Sequence, residues 1–489
     1  MRVDHSFDWK GFGFFFKIMA LCFFVGAGSY YGLAYTLYRS MPPVPKLAPS
    51  VEAAAPTTAP QPEPVAAADL SSTTPQRVIN SLSIASAVPA EGKFIAADLV
   101  NMELYLYQDG VATATYPILT KGKPGTPYET PSGFYNVLTK EKNHFNYGEQ
   151  VNMPYSMQFF GNYFIHGWPT YADGTPVASS YSGGCIRLST DDAAKVYAFA
   201  DRGTSVFVYD TGAATSAPPL MLSSMPLPAI SAASYLVADV DTGDVYAEQN
   251  ADVQRPIASV TKLMTALIAN ETIMFDHKIV VPQGELSDIA VATDTVPETF
   301  VIGDLLYPLL MESNNNIADT LAQYYGTRGF VNSMNSQAKA LDMASTTFAD
   351  ASGVSPQDVS TPEDLYRLAV YLANKKSFVW KITRVPQKTI VADDGSSYTL
   401  QNFNEFSDLT TFVGGKVGHT TPAQDTMVSV FSMPVDGVNR RVAVIVLDSS
   451  DYTSDTKNLA DWFSKSATVA ANTACAACTQ PPQYPKIQL

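Results

Sequence analysis

Proline decides how this chain is divided. From Met41 to about Gln76 the sequence is rich in proline and alanine, as in MPPVPKLAPSVEAAAPTTAPQPEPV. Such a stretch has too few large apolar residues to bury a core, and its prolines favour extended polyproline geometry, so it reads as a spacer. A second break runs from Thr211 to Ile230 and carries Pro218, Pro219, Pro226 and Pro228. The chain has 489 residues, more than one ordinary core accommodates, and the breaks leave two globular stretches, 90–210 and 230–465. The rest reads as linkers over 39–89 and 211–229 and an unstructured Ala/Thr-rich tail, 466–489. No internal repeat is visible.

Ahead of the first break, Ile18 to Leu37 (IMALCFFVGAGSYYGLAYTL) carries no charge. That is about the length of helix that crosses a bilayer. Arg2, Lys10 and Lys17 precede it and Arg39 follows. By the positive-inside rule, residues 1–17 are expected in the cytoplasm, 18–38 as a single membrane-spanning helix, and everything beyond on the extracytoplasmic side. A cleaved signal peptide is the alternative, although its apolar region is usually shorter. Under both readings the bulk of the protein is exported.

The formal net charge of −15 argues against nucleic acid as a partner, because phosphate binding needs a basic face. Four cysteines, Cys22, Cys185, Cys475 and Cys478, are too few for a disulfide scaffold in a chain of this length. The tail pair has the spacing of a redox or zinc motif, but no second ligand pair lies near it and the chain has only five histidines. A local disulfide, or no role, is the better reading, and neither a metal nor a cofactor is expected.

Residues 90–210 alternate apolar and polar side chains in short runs (FIAADL, LYLYQDG, SVFVYD) separated by turn signals such as KGKPGTP, the pattern of a mostly-β domain. Residues 230–465 begin with strands (YLVADVDTGDVYAE), turn helical in SVTKLMTALIAN and LLYPLLMESNNNIADTLAQYY, and return to strands at DTMVSVFSM and RRVAVIVLD. That order predicts an α+β domain whose antiparallel sheet pairs early strands with late ones, with helices packed on it.

In the first stretch, YSGGCIRLS places Cys185 after two glycines, with Arg187 two residues on; His166 stands nineteen residues upstream, ending an apolar strand in YFIHGWP. A thiol with a pKa of about 8.5 is only a few per cent thiolate at neutral pH. A neighbouring imidazole would take its proton and hold the ion pair. The glycines would let a carbonyl substrate reach backbone N–H groups that stabilise a tetrahedral oxyanion. For a cysteine and a histidine alone, an inert thiol and a satisfied core imidazole would be the preferred reading. The surroundings reverse it. From Phe94 to Asp210 the sequence resembles the L,D-transpeptidase (YkuD-type) catalytic domain, through FIAADLVNMELYLYQDG, TPSGFY at Thr130–Tyr135, FIHG at Phe164–Gly167, GCIRL at Gly184–Leu188 and the GTSVFV strand. The resemblance implies Cys185 as nucleophile, His166 as base and the Gly167 carbonyl as the group orienting the imidazole. It also implies Ser182, Gly184 and Arg187 in holding the site or the substrate. The family commonly has Ser-His-Gly-Cys where this chain has Ser182-Gly183-Gly184-Cys185, which leaves room for a weakened site.

The second stretch carries Ser259-Val260-Thr261-Lys262, then Ser313-Asn314-Asn315, then Gly415-Lys416-Val417-Gly418-His419 ahead of a strand. A helical period puts Ser259 and Lys262 on one face. A free lysine with a pKa of about 10.4 is charged at pH 7, but burial and a second cation lower it, so Lys262 would serve as base with Lys416 as the cation. Ser313 would relay the proton to the leaving amine, Asn315 would hold substrate backbone, and the N–H groups of Ser259 and His419 would form the oxyanion hole, with Gly418 also assigned to substrate binding there. Any one motif alone would be read as surface residues on ordinary helices and loops. Together, with ADVDTGDVYAEQNADVQRPIASVTKLMTAL and FADASGVSP at Phe348–Pro356, they resemble the D-alanyl-D-alanine carboxypeptidases, the low-molecular-mass penicillin-binding proteins, over roughly 230–463. The resemblance implies an α/β/α sandwich of the penicillin-binding and β-lactamase kind. It also implies peptidoglycan stems as substrate and β-lactams as covalent inhibitors. No second β domain or C-terminal anchor is read after it. Val417 stands where the family has Thr or Ser to hold the substrate carboxylate, a loss of about 10- to 150-fold in binding if a charged hydrogen bond goes. That would weaken carboxypeptidase action or favour endopeptidase action on cross-links.

Two function classes follow. One is a bifunctional enzyme whose serine site trims stems that the cysteine site then cross-links; the other is a peptidoglycan-binding scaffold with decayed sites, for which Gly183 and Val417 speak. A β-lactamase is the third reading and ranks below both, since no deacylating carboxylate is evident and Glu312 reads as a solvated or supporting group.

Overall fold

The computed structural model describes residues 77–79, 83–210, 217–282 and 298–470, all within one compact unit, Leu70–Leu489. The anticipated membrane helix over 18–38 and Cys22, Cys475 and Cys478 lie outside the described residues. Among the described residues no helix is long and apolar enough to cross a membrane.

After a short strand β1 (Arg77–Val78), the first domain lays down β2 (Lys93–Asp98), β3 (Glu103–Gln108), β4 (Val111–Pro117), β5 (Gly133–Asn136), β6 (Thr139–Asn146), β7 (Val151–Phe160), β8 (Tyr163–His166) and β9 (Ile186–Arg187). Helix α1 (Thr190–Phe199) and β10 (Ser205–Tyr209) complete it. One sheet runs β4-β3-β2-β10-β5 and a second runs β9-β8-β7-β6. Strand β2 is buried on both faces from Phe94 to Asp98, as a central strand is, and so reads as a nearly continuous apolar run. The short β9 lies parallel to β8, pairing Ile186 with Ile165 and Arg187 with His166. This pairing closes the sequence gap between the Cys185 and His166 segments. Ser189 then caps α1, its side chain accepting from the Asp192 N–H.

The second domain is α+β. Its strands include β11 (Leu220–Leu222), β12 (Ser234–Asp239), β13 (Asp244–Gln249), β14 (Phe412–Thr420), β15 (Gln424–Val435), β16 (Val438–Ser449) and β17 (Ala467–Val469). Between them lie α2 (Lys262–Thr272), α3 (Ile302–Met311), α4 (Asn315–Tyr325), α5 (Thr327–Ala340) and α6 (Pro362–Lys375), and α7 (Tyr452–Ser466) follows β16. The main sheet has order β1-β13-β12-β16-β15-β14, and every pairing in it is antiparallel. The early strand β12 pairs with the late strand β16, as the order of periodicities implied. Alternation along β12 splits its side chains between two cores. Leu236 and Ala238 join the helices α2 to α6, and Tyr235 and Val237 join α7.

The stretches read as spacers carry structure at their described ends. Arg77 pairs with Val245 of β13, and its guanidinium bridges Glu248 and Glu363, each at 2.7 Å. Thus the chain contributes an edge strand to the second domain before it enters the first. Strand β11 pairs with β17, the Arg440 Nη1 donates to Pro218 O at 2.6 Å, and the Trp462 indole donates to Met225 O at 3.2 Å. Residues from 217 onward, and 467–469 of the segment read as tail, therefore belong to the second domain. Prolines that exclude a helix are tolerated beside a short edge strand.

The two domains share one continuous core that includes Tyr135, Phe160 and Tyr163 with Ile268, Met334 and Ala340. Backbones approach closely there: a Cβ on Gly161 would lie 2.5 Å from Glu271 O and one on Gly133 2.6 Å from Ala340 O. Asn162 donates from Nδ2 to Thr272 O at 2.8 Å. Lys376, with no exposed side-chain surface, bridges to Glu271 at 3.6 Å and donates to the carbonyls of Pro127 at 3.2 Å and Glu129 at 2.8 Å.

Candidate active sites

Ser259 lies in a 3-10 turn, Ala258–Thr261, that runs directly into α2. The Lys262 Nζ, wholly buried, has three partners: Ser259 Oγ at 2.8 Å, Asn315 Oδ1 at 2.6 Å and Ser352 O at 2.5 Å. Two of these can only accept. A neutral amine fits the set, donating to Asn315 and Ser352 and receiving the Ser259 hydroxyl proton on its lone pair. Burial supports the neutral form, lowering Lys262 to about 7 against the opposing pull of Asp350, Asp319 and Asp358. The lowering therefore comes from desolvation first, and the second cation expected at Lys416 is not what sets it. Lys416 is itself depressed well below the usual range, by burial and then by Lys262. It donates to Ser313 Oγ at 2.9 Å and to Val417 O at 2.7 Å.

Local folding explains these placements. Ser313 takes a left-handed φ of +58° between α3 and α4, a costly conformation for a non-glycine residue. Asn314 then caps α4, accepting from the Ile317 N–H at 3.0 Å, so Asn315 starts that helix beside Lys262. On β14, Lys416 and Gly418 face the Ser259 turn. A Cβ at Gly418 would lie 2.8 Å from Ser259 N, so only glycine lets the strand approach. Val417 is half-buried and packs with the α7 core. The His419 ring is exposed and bonds Asp425 at 2.7 Å, which leaves only its backbone for the expected role. Glu312 accepts from the Gln401 N–H at 2.9 Å.

Two groups in this site lay outside the sequence reading. Ser352 supplies the third partner of Lys262, from a loop that Asp350 holds by accepting from the N–H groups of Ser352, Gly353 and Ser355. The signal was present in FADASGVSP, without a role attached. Thr426 donates from Oγ1 to Ile257 O or Gly418 O, each at 3.1 Å, fastening the strand to the Ser259 turn.

The cysteine site lies in a cleft of 580 Å³ that Cys185, His166, Arg187 and Gly183 help to line. The His166 Nδ1–H donates to Gly167 O at 2.6 Å, which leaves Nε2 as the basic nitrogen. That nitrogen is buried and makes no hydrogen bond among the described residues. The Cys185 Sγ instead faces Asn162 O at 3.8 Å. No hydrogen bond joins Cys185 to His166 among the described residues, so the expected thiolate–imidazolium pair is not formed. Burial lowers His166 to about 3, and desolvation raises Cys185, which is half-exposed to the cleft, to about 12, so the neutral form of each is favoured. Ser182 braces the turn, donating to Cys185 O at 2.5 Å and accepting from the Gly184 N–H at 3.1 Å. Gly184 has φ +116°, and a Cβ there would lie 2.1 Å from the Tyr163 ring. Arg187 is nearly buried; its Nη1 donates to Tyr181 O at 3.4 Å, and its Nε has no partner among the described residues. Among the described residues no group of side chains is arranged to hold a metal.

A serine hydroxyl set against a buried lysine whose neutral form is favoured by burial is the arrangement that serine–lysine acyl transfer requires. The model of the D-alanyl-D-alanine carboxypeptidase family, peptidase S11, matches residues 221–451. That of the L,D-transpeptidase catalytic domain, YkuD, matches 92–208. A D-alanyl-D-alanine endopeptidase of Pseudomonas aeruginosa is 33% identical over 263 residues, 51% of this chain and 83% of that protein. A D-alanyl-D-alanine endopeptidase of Escherichia coli K12 is 30% identical over 248 residues, 48% of this chain and 78% of that protein. A solved structure of penicillin-binding protein D2 from Listeria monocytogenes in its ampicillin-bound form is 30% identical, covering 49% of this chain and 99% of that one, with a TM-score of 0.42. The chain belongs to the D-alanyl-D-alanine carboxypeptidase family, and an L,D-transpeptidase catalytic domain precedes its peptidase domain.

Proposed function

We propose that this is a bifunctional peptidoglycan-modifying enzyme, exported and held at the membrane by its N-terminal segment, with a D,D-peptidase site at Ser259 and an L,D-transpeptidase site at Cys185. The observation that carries the first activity is the triple hydrogen bonding of Lys262. The neutral amine takes the Ser259 proton as Oγ attacks the carbonyl of the penultimate D-Ala, and the oxyanion forms against the N–H groups of Ser259 and His419. The proton passes by way of Ser313 to the departing amine, and water then hydrolyses the ester. β-Lactams would acylate the same serine. Cleavage of cross-links is the favoured reaction, because Val417 offers no hydroxyl for a free terminal carboxylate and the relatives at 33% and 30% identity are named endopeptidases.

At the second site, His166 Nε2 accepts the Cys185 proton only as sulfur attacks, so the thiolate exists in the transition state and not before it. The thioester is then opened by the amine of a second stem. Both possible cuts at Ser259, of a terminal D-Ala or of a D,D cross-link, leave a stem ending in a single D-Ala, which is the donor an L,D-transpeptidase uses. The serine site would thus supply the cysteine site on one chain.

The scaffold reading has one observation in its favour, the Cys185 thiol directed to Asn162 O with no hydrogen bond to His166 Nε2. Mass spectrometry of residues 41–489 with defined tetrapeptide, pentapeptide and cross-linked muropeptides tests both readings. Stem trimming lost in Ser259→Ala and L,D cross-links lost in Cys185→Ala are expected. Substrates left intact by the unmodified protein would make it a scaffold.

A further inference from the structure

The cleft at Cys185 is built by both domains. Helices α2 and α4 start in the serine site, with Lys262 and Asn315, and each is eleven residues long, about 16 Å. Their far ends reach the cysteine cleft, where Met274, His277, Tyr324 and Tyr325 form a wall belonging to the peptidase domain. His277 and Tyr324 hydrogen-bond at 2.6 Å, yet Tyr324 and Tyr325 remain 51% and 41% exposed, an aromatic surface left open inside a cleft. The first domain supplies Glu149, also in the lining, whose Oε1 lies 2.9 Å from where a Cβ on Gly183 would stand. The carboxylate therefore occupies space that a side chain at 183 would contest. Its charge acts on both Cys185 and Arg187, and it has no ion pair among the described residues.

We propose that Glu149 and the Tyr324–Tyr325 wall form the acceptor subsite of the cysteine reaction, seating the second peptide stem with its side-chain ammonium at Glu149. The charge assigns the occupant. Both stems carry a side-chain ammonium, but only the acceptor must bring its own to the thioester carbon, and the spare anionic group beside the thiol is Glu149. Arg187, with an unpartnered Nε, leaves the opposite charge for carboxylates. The ammonium sheds one proton to water, and the amine attacks the thioester carbon. The C–N bond forms as C–S breaks, and the second amine proton passes through His166 Nε2 to the Cys185 sulfur. Glu149 is a positioning residue in this step.

This inference rests on the transpeptidase reading, and the experiment separates the two. In the full chain carrying Ser259→Ala, acyl-enzyme formation from a tetrapeptide donor is followed by intact-protein mass, and the acceptor KM by cross-linked product. Glu149→Gln is expected to raise the acceptor KM about 2- to 5-fold, the value of an exposed charge pair. Tyr325→Ala is expected to raise it about 2- to 12-fold through lost aromatic contact. The acylation rate should stay within about twofold in both, and circular dichroism should show each variant folded. An unchanged acceptor KM, or an acylation rate that falls in step with it, overturns the subsite alone. No acyl-enzyme in the Ser259→Ala parent overturns the transpeptidase reading and the subsite with it.

Discussion

The ionisation of Lys262 yields a prediction with a sign and a size. Burial brings it from 10.5 to about 7. At pH 7 that raises the neutral fraction from about one in 3,000 to about one half, a differential stabilisation of the free amine of about 5 kcal/mol. Only the neutral amine can take the Ser259 proton, so acylation should rise with pH through the lysine's titration and level off above it. Below neutrality the rate should fall about tenfold per pH unit, to about 1% of the plateau at pH 5. The assay is the second-order rate constant for labelling by a fluorescent penicillin, from pH 5 to 9 at fixed ionic strength, in a Cys185→Ala chain. Lys262→Arg serves as the control. It keeps a cation that never deprotonates, and it should lose at least about 10²-fold in labelling, the lower range for a general base. A flat profile between pH 5 and 8, an inflection near 10, or normal labelling in Lys262→Arg would each refute the assignment of Lys262 as base.

Three further outcomes can be checked independently. Gly418→Ala, whose Cβ would sit 2.8 Å from Ser259 N, should displace an oxyanion donor and slow penicillin labelling about 10²- to 10³-fold; labelling within a factor of three would show that the strand is free to yield. Raised to about 12 from a usual 9.0, the Cys185 thiol should react with iodoacetamide at pH 8 about 10³-fold more slowly than a free cysteine, and rates near the free value would mean that a thiolate is already formed. Lys376→Met leaves Glu271 buried without its cation and should cost about 3–5 kcal/mol in urea unfolding at pH 8. The loss should shrink at pH 5, because Glu271, raised to about 7, is then protonated and uncharged; a loss below about 1 kcal/mol at pH 8 would remove the pair from the domain interface.

The candidate site residues were legible because the chemistry proposed for them is written in residue type and spacing. Cys185 after two glycines, Ser259 three residues before Lys262, and Lys416 beside Gly418 are each short-range patterns with a mechanical reason. Strand order was legible too, since β12 and β16 both read as strands on either side of a helical middle. Other features depended on tertiary structure and left no local trace. The shifts that favour neutral Cys185 and His166 come from desolvation. The interface residues Asn162, Glu271 and Lys376 follow no periodicity, because each contacts a different domain through backbone carbonyls or a single buried partner. Strand β1 escaped notice because two residues, Arg77 and Val78, are too short a run for alternation to register and they follow a proline-rich spacer.

That short strand has a mechanical consequence. The described chain enters through β1, at the edge of the peptidase sheet, and only then forms the domain that carries Cys185. Tension applied from residues upstream of Arg77 is therefore received by the peptidase sheet, through two residue pairs with β13 and the Arg77 bridges to Glu248 and Glu363. The cysteine domain sits downstream of this clamp and upstream of residues 217–222, which the peptidase domain also grips. A pull on the N-terminal side must peel the clamp open before it can stretch the cysteine domain, so Arg77 works as a strain relief for the cleft it never touches.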